Sequence, residues 1–310
     1  MGRPHVPVLL HETIAALAPE RGGVFVDCTL GAGGHSRAIL ERLPADARLF
    51  CVDQDQRAHD EAQASGLADD PRVTLLHGNF AQVSSLLAAE GVAKVDGLLA
   101  DLGVSSMQLD EPGRGFSFRR DEPLKMVMDQ GADEDAAEWL SSVSEGDLAD
   151  VIYRYGDERA SRRIARAIVQ ARPIETTGRL AEVVCGALGR WPRPGKKHPA
   201  TQTFQAIRIA VNRELEVLDQ LLEQLPDLMA DGGVAALISF HSLEHRRVKT
   251  WSRTEGRDDY GPVRAAHREP LRRRRFDELN RRAIRPGDGE LDLNPRSRSA
   301  QLRALRRLPR

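Results

Sequence analysis

The feature that most narrows the choice of folds is the passage Val24-Phe25-Val26-Asp27-Cys28-Thr29-Leu30-Gly31-Ala32-Gly33-Gly34-His35-Ser36. It begins as a short apolar run of the kind a buried parallel strand shows. It then breaks at Gly31, Gly33 and Gly34 and continues from Arg37 to Leu43 as a helical pattern. A strand, a glycine turn and a helix N-terminus let a ligand come close to the backbone. Nineteen residues after Gly34, a second apolar run, Leu49 to Val52, ends in Asp53. In nucleotide-binding sheets an acid there reaches ribose hydroxyls. The pairing implies an adenosine-containing ligand.

The kind of adenosine ligand follows from what the turn lacks. A dinucleotide fingerprint places glycine at its first, third and sixth positions, and counting from Gly31 the sixth is Ser36. No Gly-Lys-Ser/Thr follows, so a P-loop is excluded. An acid four residues before the first glycine, here Asp27, looks instead like the opening motif of S-adenosylmethionine (SAM) methyltransferases.

Composition bounds the rest. At 310 residues and 41% hydrophobic, the chain has material for one large domain or two modest ones. Its three cysteines, Cys28, Cys51 and Cys185, have no CxxC spacing, which fits a reducing compartment and argues against a disulfide framework or a cysteine-ligated zinc. No apolar run approaches a membrane span, and Met1 to His5 lacks the apolar core of a signal peptide. A soluble, cytoplasmic protein is expected. The net charge of −1 hides an asymmetry, because residues 241–310 carry about 20 Arg and Lys against about 10 Asp and Glu. Arg272 to Arg275, Arg281-Arg282 and Arg296-Ser297-Arg298 lie in that tail. Stretches of this kind suit phosphates, though an Arg run is more often a solvated face.

Along the chain, a first helix is expected from Leu9 to Leu17, and further strands at Arg72 to Leu76 and Val95 to Asp101, with a helix from Ala81 to Glu90 between them. Strands separated by helical segments imply right-handed βαβ units and a parallel sheet, with ligands outside the C-terminal strand ends. Asp27, Asp53, Phe80 and Asp101 all fall at such ends. From about Leu124 the period becomes helical: Ala136 to Leu140, Leu148 to Tyr155, Arg159 to Gln170, Thr177 to Leu188 and a long helix from Thr203 to Leu225. The sheet resumes at Gly233 to Phe240, and Leu291 to Leu302 is a candidate for a last strand.

Three stretches carry unusual chemistry: Asp101 to Asp110 after strand four, Lys196 to Arg208, and Ser239 to Arg247 after strand five. Within the last, His241-Ser242-Leu243-Glu244-His245 spells the H-x-x-E-H pattern of one zinc-peptidase group. It starts where a strand ends, and only an Arg-rich tail remains to supply a further ligand, so it reads as chance and no metal is expected.

At these residues the chain resembles the bacterial 16S rRNA (cytosine-N4)-methyltransferase family, the RsmH or MraW type. The resemblance rests on His5-Val6-Pro7-Val8-Leu9, Gly33-Gly34-His35-Ser36, Asp101 to Ser106, Arg114-Gly115-Phe116-Ser117-Phe118, His198 to Arg208, Ser239 to Glu244 and Asn294-Pro295-Arg296. It implies a class I SAM-dependent methyltransferase, an α/β Rossmann-like fold with a mainly parallel sheet and an inserted all-helical domain. The expected layout is a methyltransferase domain over 1–115 and 219–310, the latter ending in the basic segment, interrupted by a helical substrate-recognition domain over 116–218. The resemblance also implies SAM as methyl donor and a decoding-centre cytidine of 16S rRNA in the small ribosomal subunit as acceptor. The family's SAM contacts fall on Gly33, Gly34, His35, Asp53, Phe80, Asp101 and Gln108. Asp101 is expected to orient the amine or the donor and His241 to help remove the proton, with Lys197, His198, Thr201 and Arg208 as RNA contacts. The place of Asp101-Leu102-Gly103-Val104 is that of the Asp/Asn-Pro-Pro-Tyr/Phe cage of many amine methyltransferases, so that cage is not assumed. No cysteine stands where 5-methylcytosine chemistry would need one. Oligomeric state is left open, a homodimer included.

The chain departs from the family at one loop. Where the family reads Asp-Gly-Pro-Leu-Asp-Met-Arg-Met-Asp, this sequence has Asp121-Glu122-Pro123-Leu124-Lys125-Met126-Val127-Met128-Asp129. Glu122 in place of glycine removes a permissive backbone position, and Lys125 and Val127 alter the loop's charges. His245 stands where the family usually has Asp. Two rival readings follow: a non-catalytic SAM- and RNA-binding assembly factor, favoured by that altered loop, and an NAD-dependent oxidoreductase, disfavoured by Ser36.

Overall fold

The protein is described from a computed structural model that covers residues 7–261 and 269–309. His5 and Val6, which open the first motif, lie outside the described residues. The chain divides into two compact units, Met1–Gly103 with Glu216–Arg310, and Val104–Leu215. The expected insert ran over 116–218.

The first unit is built on a seven-stranded sheet: β1 (Val24–Asp27), β2 (Arg48–Asp53), β3 (Val73–His77), β4 (Val95–Asp101), β5 (Met229–Ser239), β6 (Phe276–Glu278) and β7 (Gln301–Arg307). Their order is β3-β2-β1-β4-β5-β7-β6. The first five pair in parallel, and β7 runs antiparallel between β5 and β6. The Rossmann-like α/β class with a mainly parallel sheet, expected from the sequence, is therefore present. The order reverses between β1 and β4, and such a switch point opens a crevice at the C-terminal strand ends. Register sets the acids there: Asp27 lies opposite Cys51 and Leu99, Asp53 opposite His77, and Asp101 opposite Ile238.

Small residues allow these strands to close up. A Cβ on Gly97 would lie 2.2 Å from the Phe25 ring, and one on Gly23 would lie 2.2 Å from the Asp96 carboxylate that accepts the Val24 amide at 2.8 Å. The core beneath joins Val26, Phe50, Leu98, Leu221 and Leu237, all essentially solvent-free. Cys28 is buried among them, Cys51 is buried within β2, and Cys185 is buried in the second unit. Burial, with Asp27 nearby, pushes the Cys28 thiol far up and the Cys51 thiol to about 12.

The basic tail does more than coat a surface, since it contributes β6 and β7. The strand expected within Leu291 to Leu302 begins only at Gln301. Ahead of it lie the helix Asp288–Leu293 and a 3-10 turn, Pro295–Ser299, whose start Asn294 caps through its side chain.

In the second unit the helices Ser106–Asp110, Ala136–Ser142, Glu145–Gly156, Ser161–Gln170, Thr177–Leu188 and Thr201–Val211 pack on their own core, with Leu124, Met126, Leu140, Ile152, Ile164, Leu180 and Ile207 at its centre. The single helix expected over 203–225 is instead Thr201–Val211 followed by Glu214–Leu228. Arg213 adopts a left-handed backbone, φ 49°, and the Asn212 side chain turns to the Met126 carbonyl at 2.7 Å and the Met128 amide at 2.8 Å. No helix among the described residues is long and apolar enough to cross a membrane.

Candidate active site

The glycine turn and Asp53 meet as their spacing suggests. Gly31 donates its amide to one Asp53 carboxylate oxygen at 2.9 Å, and Asp55 donates to the other at 2.9 Å. Gly31 and Gly33 both take left-handed backbones, φ 50° and 74°, which L side chains adopt at a cost. A Cβ on Gly34 would come within 2.3 Å of the Pro7 ring. Burial raises the Asp53 carboxyl to about 6, against the lowering effect of the two amides. Phe80 follows β3, half-buried against the core with a face left over.

Asp101 ends β4 as the most distinctive group of the rim. Its amide donates to the Thr29 hydroxyl at 2.7 Å, tying β4 to the turn that follows β1. One carboxylate oxygen lies 3.7 Å from Nδ1 of His35, whose Nε2 faces the Val8 carbonyl at 3.0 Å. The other, Oδ1, is buried without a hydrogen-bond partner among the described residues. Desolvation first, then Asp27, Glu244 and Glu290, holds the Asp101 carboxyl well above the ordinary carboxylate range. A buried acceptor with an elevated proton affinity at a strand end is the kind of group that sites use to bind or move protons. Asp27 itself is fully enclosed, accepting from Ser36 at 2.7 Å and from Thr29, and it braces the turn.

His241 sits one residue beyond Phe240, at the head of the helix Ser242–Glu255, as its N-cap. Nδ1 accepts the Glu244 amide at 3.4 Å, while the Glu244 carboxylate reaches back to the Phe240 and His241 amides at 2.7 and 3.2 Å. Nε2 faces the other Glu244 oxygen at 3.2 Å. With Nδ1 accepting, the neutral ring carries its proton on Nε2. The H-x-x-E-H spelling thus resolves into a capping box, and His245 turns to the Ser239 hydroxyl at 2.7 Å. Glu244 and Glu290 are the acids that the sequence did not single out as neighbours of Asp101. Glu290, which also accepts the Leu9 amide at 3.0 Å, comes from the far end of the chain with no local signal to find it.

The model of the MraW methylase family matches residues 2–308. The chain belongs to that family. Ribosomal RNA small subunit methyltransferase H of Acinetobacter baumannii is 46% identical over 305 residues, covering 98% of each chain. The protein of the same name from Sorangium cellulosum is 49% identical over 310 residues, covering 99% of this chain and 92% of the relative. A solved rRNA methylase from Streptococcus thermophilus aligns over 100% of this chain and 99% of that one, with a TM-score of 0.44 and 10% identity.

The other site residues expected from the sequence lie in the second unit. Gln108 is buried in a short helix, where it completes a capping box with Ser105. Lys197 is exposed. His198 stacks on Phe118 with ring centroids 4.2 Å apart, accepts the Ala200 amide at 3.1 Å, and is made less basic by burial. Thr201 opens a helix and donates its hydroxyl to the His198 carbonyl at 2.8 Å. Arg208 forks onto Glu214, with both contacts at 2.8 Å. Its guanidinium is therefore committed within the protein, unlike Lys197.

The loop where this chain departs from its family is well built. Glu122 is 8% exposed, and its carboxylate accepts the amides of Gly113 and Gly115 at 3.2 and 3.4 Å and the Arg120 guanidinium at 2.6 Å. Glu122 does not adopt a left-handed backbone; in this loop Met126 does, φ 54°, with its side chain in the core. Lys125 is exposed and Val127 half-buried. The glycine's freedom is not needed at 122.

The rim of the first unit suits the family's methyl donor. Asp53 offers carboxylate oxygens where ribose hydroxyls are read, the glycine turn offers close backbone, and Phe80 offers an aromatic face. The partly exposed Asp101 carboxyl ends β4 on the same rim. That set matches a cationic nucleoside such as SAM.

Proposed function

We propose that this chain transfers the methyl group of SAM to the exocyclic N4 of a decoding-centre cytidine in 16S rRNA of the small ribosomal subunit. The observation that carries this reading is Asp101, a carboxyl with raised proton affinity and an orphaned oxygen on the same rim as the glycine turn and Asp53. Family membership and the names of the relatives support the substrate. When bound, SAM supplies an electrophilic methyl group on a sulfonium.

The protein's part is placement. Gly31 to Gly34 would admit the donor against the backbone, Asp53 would accept its ribose hydroxyls and Phe80 would pack on its base. A cytosine amine is a weak nucleophile because its lone pair is delocalised into the ring. Accepting an N4 hydrogen at a carboxylate oxygen of Asp101, whose side chain is partly exposed, would draw that nitrogen towards a pyramidal geometry and leave the lone pair free to line up with the methyl group. Alignment of this sort supplies several kcal/mol. The same oxygen then takes the proton that N4 must lose, which its elevated proton affinity favours. His241 would have to leave its cap to accept that proton, so its part is positioning, through Glu244. Lys197, His198 and Thr201 contact RNA from the second unit, and Arg208 shapes that surface through Glu214.

The test is transfer from labelled SAM to small ribosomal subunits lacking the modification, mapped by nuclease digestion and mass spectrometry. A single N4-methylated cytidine is expected, and Asp101→Asn should lose most of the rate while still binding SAM. SAM binding without any transfer would refute the catalytic reading and favour an assembly factor.

A further inference from the structure

The connection between the helices Thr177–Leu188 and Thr201–Val211 holds a tryptophan in water. Trp191 is 61% exposed, whereas Trp139 and Trp251 pack half-buried against the two cores. Arg190, Arg193, Lys196 and Lys197 accompany it, all exposed and none in a side-chain hydrogen bond or ion pair among the described residues. From 183 to 213 the sequence has six Arg and Lys and no Asp or Glu. Elsewhere in this unit five arginines hold carboxylates, Arg120 with Glu122, Arg154 with Asp150, Arg166 with Glu145, Arg179 with Glu182 and Arg208 with Glu214, and Arg163 and Arg172 donate to backbone carbonyls. Among the described residues, no carboxylate pairs with the cations of this connection.

The connection is also constrained. Gly189 ends the preceding helix with φ 61°, and Arg190 donates back to the Cys185 carbonyl at 3.1 Å. Pro192 and Pro194 flank Arg193, and Gly195, φ 70°, closes a turn in which Lys196 donates to the Arg193 carbonyl at 3.2 Å. His198 anchors the far end on Phe118. Fixed φ angles and closed turns leave less freedom to lose on binding. An exposed indole among unpaired cations is the pairing that single-stranded nucleic acids exploit, with a base on the ring and phosphates on the cations. An acidic protein surface would use the charges but would give the indole face no flat partner.

We infer that Trp191 stacks a nucleobase from an unpaired stretch of RNA while Arg190, Arg193, Lys196 and Lys197 hold the adjoining phosphates. This deepens the rRNA reading and rests on it for the identity of the RNA. The full chain is titrated against a labelled short oligoadenylate, followed by fluorescence anisotropy at several salt concentrations. Trp191→Ala should weaken binding about tenfold, with Trp191→Phe retaining most of it. Arg190→Ala/Arg193→Ala should reduce the salt slope by about 1.4. Heparin, a polyanion without bases, should bind wild type and Trp191→Ala alike. Equal oligoadenylate affinity in wild type and Trp191→Ala would overturn the proposal. So would a defect seen only with intact subunits, which would assign the contact to a ribosomal protein. If subunits are methylated but Trp191→Ala changes neither oligomer affinity nor the KM for subunits, stacking fails and the methyltransferase reading stands. If Trp191→Ala loses oligomer affinity but wild type methylates nothing, the substrate reading fails alone.

Discussion

Restoring the family's glycine at 122 should damage this protein. The Glu122 carboxylate is nearly solvent-free and accepts the amides of Gly113 and Gly115. At 3.2 and 3.4 Å these are long bonds to a charged acceptor, so each is placed at the low end, about 1 kcal/mol. The ion pair with Arg120 is shorter, but that side chain is half exposed and contributes about 0.5 kcal/mol. Glycine adds about 0.5–1 kcal/mol of backbone entropy in the unfolded chain. Glu122→Gly should therefore cost about 3 kcal/mol, and Glu122→Gln only about 0.5 kcal/mol, since both glycine amides bond the one oxygen that an amide keeps and only the Arg120 pair is lost. The assay is urea unfolding followed by tryptophan fluorescence in a Trp251→Phe background, which leaves Trp139 and Trp191 as reporters of the second unit. The midpoint should fall with little change in slope. A Glu122→Gly protein as stable as its parent would refute the reasoning and return the loop to a site of unexplained divergence.

Other outcomes follow from the same geometry. Asp53 binds ribose hydroxyls as a carboxylate, so with its pKa at about 6 SAM affinity should be flat above that pH and fall towards tenfold per unit below it; calorimetry should find this dependence abolished in Asp53→Asn. Lys197→Ala should lower the salt slope of RNA binding by about 0.7 with no loss of stability. Arg208→Ala should cost about 3 kcal/mol in urea, because it leaves the mostly buried Glu214 carboxylate unpaired. His241→Asn keeps a good helix cap and should be nearly as stable as wild type, whereas His241→Ala should lose about 1 kcal/mol. A His241→Asn enzyme with wild-type single-turnover rate and pH profile would confirm the positioning role, and one with a collapsed rate at full stability would refute it.

The sheet was legible because buried parallel strands are short apolar runs, and β1, β2 and β4 each end in an acid that marks the rim. What escaped sequence reasoning was conformation set by distant side chains. Asn212-Arg213 contains neither glycine nor proline, so nothing local announces that the helical pattern breaks there; the break depends on Met126 and Met128, far away in the chain. Glu122 was visible as a departure, but its compensation needs Gly113, Gly115 and Arg120 in place around it. The same holds for His241, whose part as a helix cap shows only when Glu244 is seen folding back on the Phe240 and His241 amides. In the tail, the density of arginine masked the apolar positions of β7, where Leu302, Ala304 and Leu305 are buried among Arg303, Arg306 and Arg307.

The three enclosed thiols give this molecule a built-in record of its own breathing. Cys28 and Cys51 follow or lie within neighbouring strands at the centre of the sheet, and Cys185 lies inside the helical unit, each shut off from reagents in solution. A thiolate is needed for disulfide exchange, and burial suppresses it at all three positions. Modification by an exchange reagent must therefore wait for an opening event, and its rate measures how often the surrounding segment unfolds. One chain so reports separately on the fluctuations of its two cores, without a single residue being replaced.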